Sequence, residues 1–299
     1  MKIQSMSIVV PSTKCINDCK FCVSKMHKEH YPNRITDRRY DFASAFAEYK
    51  QKMEFARDNG CNTLMLTGEC EPQQYREFLK LFGIMNKELQ NPFKNIQIQT
   101  TGTLLDRKYL EFLQNHVGVN VICVSIASFD SKENAEICGM KYPVDLIRFC
   151  MLVKDMGFTL RLSINCLENT LPSLVKVSDA SNIPTMDIMF KLIKQIYNPD
   201  QITFRDMYQD GSGSEVAEWV FYHKMHPMVF NKIKAHIKEH GVFLNTLEYG
   251  FDRYSINGMS TVVDTDCMSK DKKEEIKYLI LRPDCKLYTK WDDKGSILF

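Results

Sequence analysis

The chain has 299 residues, with AVILMFWYC at 44% and DEKR at 25%, which suits packed cores and excludes a disordered or fibrous chain. A formal net charge of +2 gives no strong field for nucleic acid or membrane, and no apolar run nears the roughly 18 residues of a membrane span. Eleven cysteines are too few for a disulfide scaffold; with no export signal they are expected as reduced thiols or metal ligands in a soluble cytoplasmic protein.

Along the chain, short apolar runs alternate with amphipathic stretches. Strand-like runs are Ser5–Pro11, Thr63–Leu66, Ile96–Thr100, Val119–Ile126, Thr159–Asn165 and Gln201–Phe204. Helix-like stretches are Phe42–Asp58, Gln73–Glu88, Arg107–Asn115, Val144–Met156 and Thr185–Ile196. The first carries Phe42, Ala45, Phe46, Tyr49, Met53 and Ala56 on one stripe and ends at Asn59-Gly60. Six strand-then-helix units predict parallel strands with right-handed crossovers, in an α/β fold read as a partial (β/α)6 TIM-like barrel. The strands read as nearly continuous apolar runs, as expected when both faces are covered. Chemistry is expected where the strands end. Residues 1–208 form this core. After Tyr208 the rhythm changes, and residues 209–299 read as a C-terminal α+β extension that caps the barrel. It holds a loop at 209–214, helices over Glu215–His240 broken at Pro227, and a hairpin of Lys277–Arg282 with Lys286–Trp291.

Directly after the first strand stands Cys15-Ile16-Asn17-Asp18-Cys19-Lys20-Phe21-Cys22. Three thiolates on one loop can converge on a soft metal centre and leave a coordination position open. His27 or His30 could instead close a structural zinc site, making the chain a zinc-binding interaction module. The C-x3-C-x2-C spacing, with Phe21 just before the third Cys, resembles the radical S-adenosylmethionine (radical SAM) superfamily. The resemblance implies a [4Fe–4S] cluster on Cys15, Cys19 and Cys22 and S-adenosylmethionine chelated to its unique iron. It also implies an electron donor such as flavodoxin or ferredoxin.

Further motifs follow in register over residues 5–208. Thr67-Gly68-Glu69-Cys70-Glu71-Pro72 resembles the family's Gly-Gly-Glu-Pro motif, implying contacts to the cofactor's methionine amine; Cys70 departs from it, since a Cβ narrows the backbone approach that Gly permits. Thr100-Thr101-Gly102-Thr103 resembles the family's Thr-Asn-Gly turn. Ser125 and Asn165, at the ends of the fourth and fifth strands, resemble its ribose-binding positions, and Phe204-Arg205 ends the sixth, where the resemblance implies contacts to the adenine or the substrate.

Cys61, Cys123, Cys138, Cys150 and Cys166 read as buried small hydrophobes, although one lumen thiol could donate hydrogen to a product radical. Cys267 and Cys285 are too few for a second cluster. His223/His226 and His236/His240 read as a solvated helix face. The cysteine motif begins at residue 15, so no N-terminal peptide-binding domain is expected. The motif style is closest to the branch of the molybdenum-cofactor cyclase and the nucleotide-dehydrating antiviral enzymes, which points to a small substrate such as a nucleotide. Arg205, Lys191, Lys194 and Arg282 are candidate phosphate contacts. Modification of a peptide or protein is the alternative.

Overall fold

Six strands follow one another in the core: β1 (Lys2–Val10), β2 (Thr63–Gly68), β3 (Asn95–Thr100), β4 (Val121–Ile126), β5 (Thr159–Asn165) and β6 (Gln201–Arg205). The strands beyond them are β7 (Val242–Thr246), β8 (Asp252–Ile256), β9 (Met259–Asp264), β10 (Glu275–Leu281) and β11 (Leu287–Tyr288). Helices α1 (Val23–Met26), α2 (Phe42–Asp58), α3 (Arg76–Lys87), α4 (Arg107–Phe112), α5 (Ser131–Ile137) and α6 (Leu146–Asp155) lie between the first strands. They are followed by α7 (Ser173–Val177), α8 (Met186–Tyr197), α9 (Glu215–His223) and α10 (Pro227–His240). The computed structural model describes residues 2–11, 14–26, 42–178, 185–209, 211, 213–247, 250–265, 275–291 and 295–299. No helix among these is long and apolar enough to cross a membrane.

The helices begin where the sequence supplies caps. Asp106, Asp130, Asp145, Thr185 and Ser214 precede α4, α5, α6, α8 and α9, and each side-chain oxygen accepts from the backbone N–H three residues on. Pro227 occupies the first turn of α10, where its missing N–H costs nothing. On α2 the expected stripe is buried at Ala45, Tyr49, Met53 and Ala56.

β1 to β6 pair in parallel and in chain order, as expected of a partial barrel. The segment after residue 208 lengthens this same sheet at both ends. β9 adds parallel to β6, with β8 and β7 antiparallel beyond it; β10 adds parallel to β1, with β11 antiparallel beyond it as the expected hairpin. The resulting order is β11-β10-β1-β2-β3-β4-β5-β6-β9-β8-β7, and the sheet is not closed.

The strands are not apolar on both faces. One face packs Leu64, Leu66, Ile96, Ile98, Ile122, Val124, Leu160, Leu162 and Phe204 against the helices. The other face lines the lumen with Thr63, Asn95, Gln97, Arg161, Thr203 and Arg205. In β3, Asn95-Ile96-Gln97-Ile98 alternates residue by residue, the period of a strand with one dry face and one polar face. The expectation of continuous apolar strands is corrected here: the concave side of the sheet is a polar interior, not a second hydrophobic core.

The two ends of the parallel array meet through an ion pair. Lys277 of β10 places its ammonium 2.9 Å from Asp264 Oδ1 of β9, with side chains only 2% and 9% exposed. Removing one charge strands the other in a low-dielectric setting. Lys277→Met is therefore expected to cost about 3–5 kcal/mol, measured by chemical denaturation, and Lys277→Met with Asp264→Leu to recover part of that loss.

Candidate cofactor site

The loop carrying Cys15, Cys19 and Cys22 leaves β1 at the edge of the sheet where the parallel strands end. Protein groups hold it from two sides. Gln74 accepts from Ile16 N (2.9 Å) and donates to Lys14 O (3.0 Å). On the other side Asp18 N donates to Cys138 O (3.2 Å) and Lys20 N to Ile137 O (3.0 Å), at the end of α5. Gly139 closes this contact with φ +57°, and a Cβ there would lie 2.6 Å from Asp18 O. Only glycine fits so close an approach in that conformation.

Beneath the loop lies the buried carboxylate of Glu71, 6% exposed. Its Oε1 accepts from Asn17 Nδ2 (3.1 Å), and its Oε2 accepts from Gln73 Nε2 (2.7 Å) and from the Thr100 hydroxyl (2.6 Å). The Thr101 N–H points at both oxygens, at 3.0 and 3.2 Å. Asn17 Nδ2 also donates to Thr101 Oγ1 at 2.9 Å. The network joins the cysteine loop, the turn after β2 and the end of β3. The carboxylate expected to reach the cofactor amine is thus held by protein donors.

The rest of the β2 turn lies beside it. Gly68 is in close backbone contact, since a Cβ there would sit 3.0 Å from Val10 O. Neither Glu69 nor Cys70 has a positive φ, so the departure at Cys70 carries no backbone strain, and its side chain is buried. Glu69 lies 3.9 Å from the Arg282 guanidinium. Thr67, the last residue but one of β2, is half-buried. Across the sheet, Asn165 Nδ2 donates to Ser125 Oγ at 3.0 Å, bringing the two expected ribose contacts together. Phe21 turns toward the C-terminal extension, its ring centroid 6.4 Å from that of Trp219 on α9.

The three thiols are partly shielded. Burial pushes the Cys15 thiol up to about 11, against the opposing pull of backbone N–H groups of Asn17 and Glu71. Asn17 N lies 3.4 Å from Cys15 Sγ. A hydrogen bond with the buried Cys138 thiol, followed by burial, raises Cys19, and burial raises Cys22. Soft sulfur donors with backbone N–H groups aimed at one of them suit an iron–sulfur cluster. Among the described residues no three His, Cys, Asp or Glu groups converge on a single ion. His27, His30 and Cys267 lie outside the described residues.

The remaining candidates fall elsewhere. Cys61, Cys123, Cys138, Cys150 and Cys166 are buried, as expected. His226 caps α10 through Met228 N, His223 stacks on Trp219 at 4.3 Å, and His236 stacks on Phe190 at 5.5 Å instead of facing solvent. Lys191 pairs with Asp187 on an exposed helix face, and Lys194 donates to Pro199 O. Asn17, Gln73, Gln74 and Gly139 are the site residues that the sequence reading omits. Gln73 and Gln74 directly follow the Pro72 turn, a signal that was available; the pairing of Gly139 with Asp18 was not.

Glu71→Gln turns one acceptor oxygen into a donor that faces other donors and removes the charge. The expected cost is about 2–3 kcal/mol, measured by chemical denaturation, with a fall in iron retained after anaerobic purification.

Residues 9–167 match the family model described as "Radical SAM superfamily", just over half of the chain. No curated protein sequence matches significantly. A solved structure described as "Native anSMEcpe with bound AdoMet" superimposes with a TM-score of 0.57 at 12% identity, covering 96% of this chain and 74% of that one. A second structure, a histidine-tagged form of anSMEcpe with bound AdoMet, gives 0.51 at 13% identity with the same coverage. At these identities the likeness shows the fold, and the particular branch of the family stays open. The matched segment contains the cysteine loop, the Glu71 network and Asn165, and the chain belongs to the radical SAM superfamily, an enzyme class whose cofactors are a [4Fe–4S] cluster and S-adenosylmethionine.

Proposed function

We propose that this protein abstracts a hydrogen atom from a small substrate held in the lumen of its partial barrel, a nucleotide being the class its strand-end motifs favour. A [4Fe–4S] cluster held by Cys15, Cys19 and Cys22 would, once reduced, supply the electron for cleavage of S-adenosylmethionine to methionine and a 5′-deoxyadenosyl radical, chemistry that side chains do not supply. The observation that carries the reading is positional. The cysteine loop, the Thr67–Glu71 turn and the Ser125–Asn165 pair all sit where parallel strands end, above a polar lumen.

In this reading Cys15, Cys19 and Cys22 hold the cluster, and the loop's anchors on Gln74, Cys138 and Gly139 fix their relative positions. Glu71 is a positioning residue that sets the β2 turn, so that backbone groups of Thr67, Gly68, Glu69 and Cys70 face the methionine end of the cofactor. Ser125 and Asn165 present a hydroxyl and an amide to its ribose. Phe21, packed toward Trp219, shields the cluster side from water. Residues 1–208 carry the cofactor chemistry, and residues 209–299 complete the walls of the lumen. A cavity of about 270 Å³ there is small for a ligand pocket, which suits a metabolite better than a folded protein. The electron donor is a small redox protein of the flavodoxin or ferredoxin class, and the setting is cytoplasmic.

Anaerobic protein is expected to contain about four irons per chain and to release 5′-deoxyadenosine with dithionite and S-adenosylmethionine. The triple variant Cys15→Ala, Cys19→Ala, Cys22→Ala should lose both. With a substrate deuterated at the reacting carbon, the label should appear in 5′-deoxyadenosine. A zinc-loaded, iron-free wild type would overturn the reading.

A further inference from the structure

Toward the starts of the strands, away from the cysteine loop, lies the cavity of about 270 Å³. Gln4 of β1, Thr63 of β2, Asn95 of β3 and Gln201 of β6 mark its depth, and Leu247 and Phe251 close its side. Among the described residues that line it are Arg161, Arg205 and Arg253, together with the Lys277–Asp264 ion pair.

Arg161 is the most telling of these. Its Nε donates to Gln201 Oε1 at 2.7 Å, and one Nη1 hydrogen goes to Gln97 Oε1 at 2.8 Å. Two neutral amides thus fix the guanidinium plane, and the Cys123 thiol is a third neutral partner, so not all five of its N–H groups are engaged by the amides. Among the described residues no carboxylate pairs with it. A guanidinium held in place by neutral acceptors keeps its full charge available to an anion that enters the lumen. The Gln97 oxygen also meets the Cys123 thiol at 3.7 Å, so the cradle for Arg161 is packed on its far side.

We propose that the lower lumen holds the phosphate of a phosphorylated substrate, with Arg161 as its main contact and Arg205 and Arg253 on the same cavity wall. A phosphate carries about −1.5 to −2 at neutral pH and accepts the forked N–H geometry of a guanidinium. The placement also fits hydrogen abstraction at the strand ends. Arg161 and Asn165 are four residues apart on β5, about 13 Å at the rise of a strand, so an anchored phosphate leaves room for a sugar-sized body to reach the cofactor. The proposal rests on the function given above only in taking this anion to be part of the substrate.

The test is equilibrium dialysis of radiolabelled pyrophosphate against intact, anaerobically purified, cluster-loaded protein at physiological salt. One saturable site per chain is expected, weakened about tenfold or more by Arg161→Met and unchanged by Lys191→Ala on the outer face of α8. If Arg161→Met does not fold, Arg161→Lys, which keeps the charge but loses the fork, is expected to weaken binding as well. Absence of saturable binding, equal binding in the Arg161 variants, or competition by succinate as strong as by inorganic phosphate would overturn the assignment. Assaying 5′-deoxyadenosine on the same preparation separates the two claims. Its release without pyrophosphate binding removes the phosphate site and leaves the radical chemistry standing. Binding at Arg161 in a protein that assembles no cluster does the reverse.

Discussion

A buried carboxylate is stable only if its oxygens are fully engaged, and the site of this enzyme is organised around one that is. Glu71 collects donors from Asn17, Gln73, Thr100 and Thr101, which belong to three segments far apart in sequence. Each hydrogen bond to a charged acceptor is worth more than its neutral equivalent, and all of them are lost together if one segment moves. The cysteine loop, the β2 turn and the end of β3 are therefore a single mechanical unit. The loop's opposite side is fixed as firmly, because Asp18 and Gly139 meet too closely for any side chain to intervene. The frame fixes the backbone of the loop that carries the three thiols from both sides.

The same sheet serves two solvents. Its convex face is a dry packing surface for the helices, built from Leu64, Ile98, Val124, Leu162 and their neighbours. Its concave face presents amides, hydroxyls and guanidiniums to a cavity. Six parallel strands alone would leave that cavity open on a wide side. The segment after residue 208 narrows it by adding β9 at one end of the array and β10 at the other, and the Lys277–Asp264 pair ties these two strands across the gap. A closed hydrogen-bonded barrel would be more rigid but would leave less room for ligand entry. An ion-paired seam keeps the ends in register while the sheet stays open.

Much of this was legible in the sequence, for identifiable reasons. The helical stripe of Tyr49, Met53 and Ala56 and the capping residues Asp106, Asp145 and Thr185 are local signals, so the core strands and helices fall close to where they are expected. The cysteine spacing and the Glu71-Pro72 turn are equally local, and they carry the resemblance to the family. The polarity of the lumen was harder to read, because Ile96 and Ile98 give the run its apolar character while Gln97, between them, faces the lumen. Least visible were contacts set by topology. Nothing near Lys277 in the sequence announces Asp264, and nothing near Asp18 announces Gly139. The extension also reads from sequence as a cap over the barrel, because its pairing with both sheet edges depends on strands that lie far away in the chain, as β1 does from β10.

The central claim is that Cys15, Cys19 and Cys22 hold a cluster that S-adenosylmethionine contacts directly. It is tested most directly by electron-nuclear double resonance on the dithionite-reduced protein, with S-adenosylmethionine carrying ¹⁵N in its methionine amine. The account predicts an iron–sulfur signal whose shape changes when the cofactor is added and which shows nitrogen hyperfine coupling. A reduced protein with no iron–sulfur signal, or one whose signal is blind to the labelled cofactor, would contradict it.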